Sequence, residues 1–156
     1  MAFNVENLKV YQRAVDFADA IITTTQAFPR GYYFISDQLN RASTSIAANI
    51  AEGNGRFTKA DRKHFFVIAR GSVHECLPLL ELAARRSLIK AEKKEDLVSE
   101  LEEMSRMLAG LIQGTDHRRS APLSFRNGGG SINNDQLSII NYQCAGLVRI
   151  IANCRL

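Results

Sequence analysis

The sequence predicts an all-α protein: an antiparallel up-down-up-down four-helix bundle over residues 1–114, with a C-terminal extension over residues 115–156. Three observations carry this expectation. Apolar residues recur at three-and-four spacing in four successive segments, the pattern of helices with one buried face. Glycine, proline and polar clusters separate the segments. No strand-like alternation competes before residue 114. Four amphipathic helices joined by short turns bury their apolar faces most economically against one another.

The first helix is expected from Val5 to Phe28, with Leu8, Tyr11, Ala14, Val15, Ala18, Ile21, Ile22 and Thr25 on its apolar face, and Pro29-Arg30-Gly31 stops it. Ser36 offers a hydroxyl to an otherwise unpaired backbone N–H and is the expected N-cap of a second helix that runs to Gly53. Its stripe of Leu39, Ala42, Ile46, Asn49/Ile50 and Gly53 is rich in small residues, which let a neighbouring helix come close. Glu52-Gly53-Asn54-Gly55-Arg56 reads as a helix end and a turn. Thr58 with Asp61 three positions on resembles a capping box that opens a third helix, which extends to about Arg86. Phe65, Ile68, Ala69, Ser72, Cys76, Leu79, Leu80 and Ala83 are its expected buried positions. Pro78 cannot donate to the carbonyl of His74, so a kink is expected there. In the fourth helix Leu97, Leu101, Met104, Leu108 and Leu111 alternate spacings of four and three within a charged surface, and Gly114 is the expected C-cap.

The character changes at Thr115. Asn127-Gly128-Gly129-Gly130-Ser131 looks like a flexible linker. Leu137, Ile140, Cys144, Leu147, Val148 and Ile151 suit a short amphipathic helix, although Ser138–Tyr142 would also serve as a strand.

At 156 residues the chain is long enough to bury one core without a disulfide or metal. No apolar run approaches the ~18 residues of a membrane span, and the N-terminus lacks a signal peptide's basic and apolar regions, so a cytoplasmic protein is expected. Cys76, Cys144 and Cys154 are widely spaced and form neither a disulfide framework nor a CxxC motif. The net charge of +4 permits contact with nucleic acid without demanding it, so its placement matters more. Residues 58–86 hold six basic and three acidic side chains, a local excess of three, whereas 1–57 are balanced.

No enzyme chemistry is expected. Nucleophile, base and orienting group do not converge, no metal-ligand spacing occurs, and no cofactor motif is present. Glu100, Glu102 and Glu103 lack the inward Glu-x-x-His pattern of di-iron helical proteins and read as a solvated face. His64 falls on the outer side of helix three. Polar residues interleaved with small ones, Arg41, Asn49, Glu52, Arg70 and Glu75, point to a polar seam between helices two and three. Within it Arg70 with Glu52, or Arg41 with Glu75, could pair. A ligand site made of the same groups is the alternative. Arg56, Lys59, Arg62, Lys63 and Arg70 form either a basic surface able to meet phosphates or a merely solvated face.

Several motifs together resemble the four-helix proteins encoded within intervening sequences of bacterial 23S ribosomal RNA genes. They are Leu8-Lys9-Val10-Tyr11-Gln12-Arg13-Ala14, Phe28-Pro29, Gln38-Leu39-Asn40-Arg41-Ala42, Asn49-Ile50-Ala51-Glu52-Gly53 with Arg56, Ala69-Arg70-Gly71-Ser72 with Glu75, and Met107–Ile112. The resemblance implies an all-α bundle that assembles into a homo-oligomer, with a ring of five the preferred form. It also implies kinship to accessory proteins of diversity-generating retroelements, which bind nucleic acid beside a reverse transcriptase. Ala47 stands where the family often has proline, Gly31-Tyr32-Tyr33 lacks the common acidic residue, Pro78 is atypical, and the segment from Thr115 has no counterpart. The expected function is a non-enzymatic accessory factor that binds structured RNA; a protein-assembly scaffold without a nucleic-acid ligand is the alternative.

Overall fold

The computed structural model describes residues 4–116, and every regular element among them is helical. A 3-10 turn at Asn4–Asn7 leads into α1 (Lys9–Gln26), and a second at Arg30–Tyr32 leads into α2 (Tyr33–Gly55). The remaining helices are α3 (Lys59–Arg85) and α4 (Ala91–Asp116). Each packs on two neighbours in a closed cycle, α1 on α2, α2 on α3, α3 on α4 and α4 on α1, and the backbones of the diagonal pairs do not come close. The α2–α3 contact is the most extensive and α1–α4 the least. No helix among the described residues is long and apolar enough to cross a membrane. The linker and the short helix or strand expected after Thr115 lie, from His117 onward, outside the described residues.

The four apolar stripes meet in one core. In α4 the sequence pattern is followed closely, with Leu97, Leu101, Met104 and Leu108 buried and Leu111 half-buried at the rim. In α2 the stripe gains Ile35 and Ser43. The expected α3 positions need correction: Phe66 and Val73, rather than Phe65 and Ile68, enter the core, giving a regular series 66, 69, 73, 76, 80, 83. Likewise α1 buries Val10 and Phe17 and leaves Val15 and Ile22 outside. Adjacent apolar pairs such as Phe65-Phe66 and Ile21-Ile22 fit a helical period in either of two registers, and only the neighbouring helices choose between them.

Three expected boundaries also change. Gly114 does not cap α4, which runs on to Asp116. Ser36 is not an N-cap, because α2 already begins at Tyr33, continuing directly from the 3-10 turn whose Tyr32 N–H bonds to Pro29 O at 2.9 Å. Gly53 does not end α2, which runs on to Gly55. Pro78 lies within α3, which continues unbroken to Arg85. The missing hydrogen bond falls on an exposed face beside His74, where water can serve the freed carbonyl. The end of α3 is closed by paired bonds from Ser87 N to Ala84 O and Leu88 N to Ala83 O, both 2.9 Å, with Ser87 at a φ of 56°. That is the Schellman arrangement, here with serine in the left-handed position usually taken by glycine.

Ion pairs bridge the outer rims. Arg13 of α1 meets Glu100 of α4 at 2.7 Å. Glu81 of α3 takes both Lys94 of α4 and Arg85, which hold its carboxyl down at about 2, chiefly through the Lys94 hydrogen bond. The Arg13–Glu100 bridge is solvent-exposed and the Glu81–Lys94 bridge half-buried at the rim, so they align helices more than they stabilise them.

The closest approach of α2 to α3 is at Gly53. A Cβ there would sit 2.9 Å from Phe66 Cε1 and 3.1 Å from Phe65 Cβ, so only glycine lets the two helices meet at this depth. Gly71, on the outer face of α3, has nothing within 4 Å of such an atom. Gly53→Ala is therefore expected to lower stability by about 1–3 kcal/mol through overpacking. Gly71→Ala is expected to raise it by about 0.5–1 kcal/mol through helix propensity. Urea denaturation of the two variants checks both signs.

Candidate nucleic-acid interface

The polar seam between α2 and α3 exists, but hydroxyls and an amide form it. Asn49 Nδ2 donates to Ser45 Oγ at 3.0 Å and to Ser45 O at 2.7 Å. Ser45 Oγ lies 2.9 Å from Ser72 Oγ across the helix pair, and Ser72 Oγ reaches Ile68 O at 3.3 Å. With the protons ordered in that direction, Asn49, Ser45, Ser72 and the Ile68 carbonyl make one chain in which each hydroxyl both accepts and donates. A comparable link joins α1 to α2, where buried Thr25 Oγ1 donates to Asn40 Oδ1 at 2.9 Å.

The ion pairs expected in the seam are absent. Glu52 is bound by Arg56 one turn along the same helix. Arg70 points instead toward α4, its Nε 3.5 Å from Ser105 Oγ. Arg41 and Glu75 are both exposed and make no ion pair with each other. Long charged side chains keep their hydration by turning outward, whereas short hydroxyls satisfy one another inside a tight helix contact.

The five basic residues fall into three groups. Arg56, Lys59 and Lys63 line the corner where α2 ends and α3 begins, with Lys59 and Lys63 one helical turn apart. Arg62 turns inward: its Nη2 donates to Asn54 O at 3.2 Å, capping the end of α2, and its Nε is buried without a hydrogen-bond partner. Arg62 is a latch for the corner. Arg70 lies two turns beyond Lys63, on a shallow groove between α3 and α4 that it shares with His74, Glu102, Ser105 and Arg106. Glu102 makes that groove mixed in charge, and its Arg106 is paired with Glu103.

Two acids lie at the corner, and each is engaged. Glu52 holds Arg56, and Asp61 Oδ2 accepts from Thr58 Oγ1 at 2.6 Å. The same Thr58 hydroxyl accepts from Asp61 N at 3.1 Å, so Thr58 is the N-cap expected from the sequence, but the carboxylate takes the hydroxyl proton rather than the Thr58 backbone N–H, and the reciprocal bond of a capping box is not made. Arg56 also lays its guanidinium over the Phe65 ring, 4.7 Å from the centroid, and His64 meets that ring edge-on at 5.6 Å. Phe65 is thereby drawn out of the core to carry a cation. Between Arg56 and Thr58 stands Phe57, which the residue pattern did not single out. Its side chain is fully exposed, at 104% of its reference accessibility.

Elsewhere, Cys76 is sealed in the core and its thiol is pushed up to about 12, first by burial and then by Glu75, so it is held as an inert thiol. Among the described residues no group of three or more His, Cys, Asp or Glu is placed to hold a metal ion.

Comparison with known proteins gives a consistent family. Residues 6–110 match the family described as 23S rRNA-intervening sequence protein. A solved structure of a protein with unknown function from the S23 ribosomal protein family of Bacteroides thetaiotaomicron is similar, with 27% identity and a TM-score of 0.64. That match covers 67% of this chain and 98% of the other. No curated protein matches the chain.

Proposed function

The chain belongs to the 23S rRNA-intervening sequence protein family, and on that premise we propose that it is a non-enzymatic accessory protein that binds structured RNA through the α2–α3 corner. The observation that carries the proposal is the charge at this corner. Lys59 and Lys63 stand one turn apart on α3 beside the Arg56–Glu52 pair, while Asp61 is turned to Thr58, so basic side chains outnumber acidic ones at the corner and phosphates would complete its positive field. The orphan amide N–H groups of the first turn of α3 add partial positive charge on the same side. The helices, in this reading, form an antiparallel up-down-up-down bundle that serves as a rigid mount for the corner. Arg70 adds a phosphate contact two turns away rather than defining the site.

The protein is also proposed to act as a homo-oligomer, a ring of five being the form the family resemblance favours. Kinship to accessory proteins of diversity-generating retroelements extends the proposal to a reverse transcriptase as protein partner. The competing reading is an assembly scaffold that carries no nucleic acid. Tyr33 and Phe34, 73% and 59% exposed at the start of α2, favour self-association in either reading.

Affinity of the full chain for a hairpin RNA should fall steeply between 50 and 200 mM salt, on the order of tenfold or more for three to four phosphate contacts. The paired change Lys59→Glu with Lys63→Glu should weaken it further and flatten the salt slope; binding unaffected by either would leave the scaffold reading. Light scattering should give five times the 17.4 kDa chain mass, and a persistent monomer would remove the ring.

A further inference from the structure

Phe57 is an anomaly on physical grounds. A fully exposed phenylalanine forgoes the stabilisation that burying its large apolar side chain would contribute. Flexibility does not explain it, because the turn around it is fastened on both sides. Arg56 N bonds to Gly53 O at 3.3 Å, Arg62 N to Thr58 O at 3.1 Å, and the Arg62 guanidinium to Asn54 O at 3.2 Å. The Thr58 N-cap and its hydrogen bond to the Asp61 carboxylate follow immediately after it. The ring is therefore projected from a preorganised corner. Its sequence neighbours are cationic, Arg56 on one side and Lys59 two residues on, with Lys63 a turn further.

We propose that Phe57 is a stacking platform for an unpaired nucleobase, with Lys59 and Lys63 of the first turns of α3 holding the flanking phosphates, so that the ligand is single-stranded or looped RNA rather than continuous duplex. This rests on the RNA-binding reading of the same corner and narrows it. An exposed ring two residues from Lys59, at a corner with an excess of basic side chains, suits a ligand that offers a flat apolar face and anionic groups together, which is the composition of a nucleotide. Bases within a duplex are already stacked, and the deep, narrow major groove of A-form RNA keeps their edges from side chains, so an isolated ring gains most from a base that is splayed out. Phe65 does not compete for this role, since its face is occupied by Arg56.

The test uses the full chain with two probes, a single-stranded 12-nucleotide uridine oligomer and a blunt RNA duplex of equal length. The single strand should bind at least tenfold more tightly than the duplex. Phe57→Ala should weaken single-strand binding by about 5- to 100-fold while leaving the salt slope unchanged, because a stacking contact releases no counterions. Phe57→Trp should retain binding. As the protein contains no tryptophan, the emission of that single indole should be quenched on adding the oligomer. Full affinity in Phe57→Ala, with Lys59→Glu still weakening it, would overturn the stacking role and leave the basic corner standing. Salt-dependent binding of neither probe by the unaltered chain would remove the RNA reading itself. A loss of oligomer mass in Phe57→Ala by light scattering would reassign the ring to a contact between copies. Circular dichroism of each variant establishes that the helices are intact.

Discussion

Close approach of α2 to α3 is the constraint on which the rest of the structure depends. Gly53 removes the side chain that would keep the helices apart, and Phe66 fills the place it leaves. Two turns earlier in α2 the chain from Asn49 through Ser45 and Ser72 to Ile68 O binds the pair with hydrogen bonds that a wider separation would break. Glycine at one level and hydroxyls at the next make this the tightest seam in the protein. The corner that joins the two helices inherits that rigidity, with Arg62 latched on Asn54 O as its last fastening. Whatever the corner presents to solvent is held in a fixed position, and what it presents is basic and aromatic.

How much of this the sequence disclosed depends on how uniquely each pattern fits a helix. The α4 stripe was legible because Leu97, Leu101, Met104 and Leu108 stand alone among charged residues, so one register suffices. The α3 stripe was misread at its start because Phe65 and Phe66 are adjacent and Ile68 fits the wrong register as well as Val73 fits the right one. The Thr58–Asp61 cap was legible because it needs only local geometry. Ser36 looked equally suitable as a cap, but the 3-10 turn at Arg30–Tyr32 starts α2 before the chain reaches it.

The candidate site was half legible for a similar reason. Charge is visible in a sequence, whereas the direction of a long side chain is not. Lys59 and Lys63 lie on the corner as their one-turn spacing required. Arg62, between them, turns inward to a carbonyl that sequence alone does not place beside it, and Arg70 turns to Ser105 of a helix 35 residues away in sequence. The expected seam of ion pairs failed because Glu52 finds Arg56 on its own helix at lower cost than a partner across a close contact. A single phenylalanine beside a turn has no period that would reveal its exposure; only the packing shows that none of the described residues buries Phe57.

The central claim is that a rigid α2–α3 corner is the surface that meets RNA. The amides of Lys59 and Ala60, in the first turn of α3, lack intrahelical acceptors and should exchange rapidly in the free protein, which makes them sensitive reporters of anything placed over the corner. Amide hydrogen exchange of the full chain, measured by mass spectrometry with and without a saturating hairpin RNA, tests the claim most directly. Protection concentrated in peptides covering residues 54–66, with α1 and the middle of α4 unchanged, is the predicted result. Protection confined to α1 or α4, with residues 54–66 exchanging as in the free protein, would contradict it.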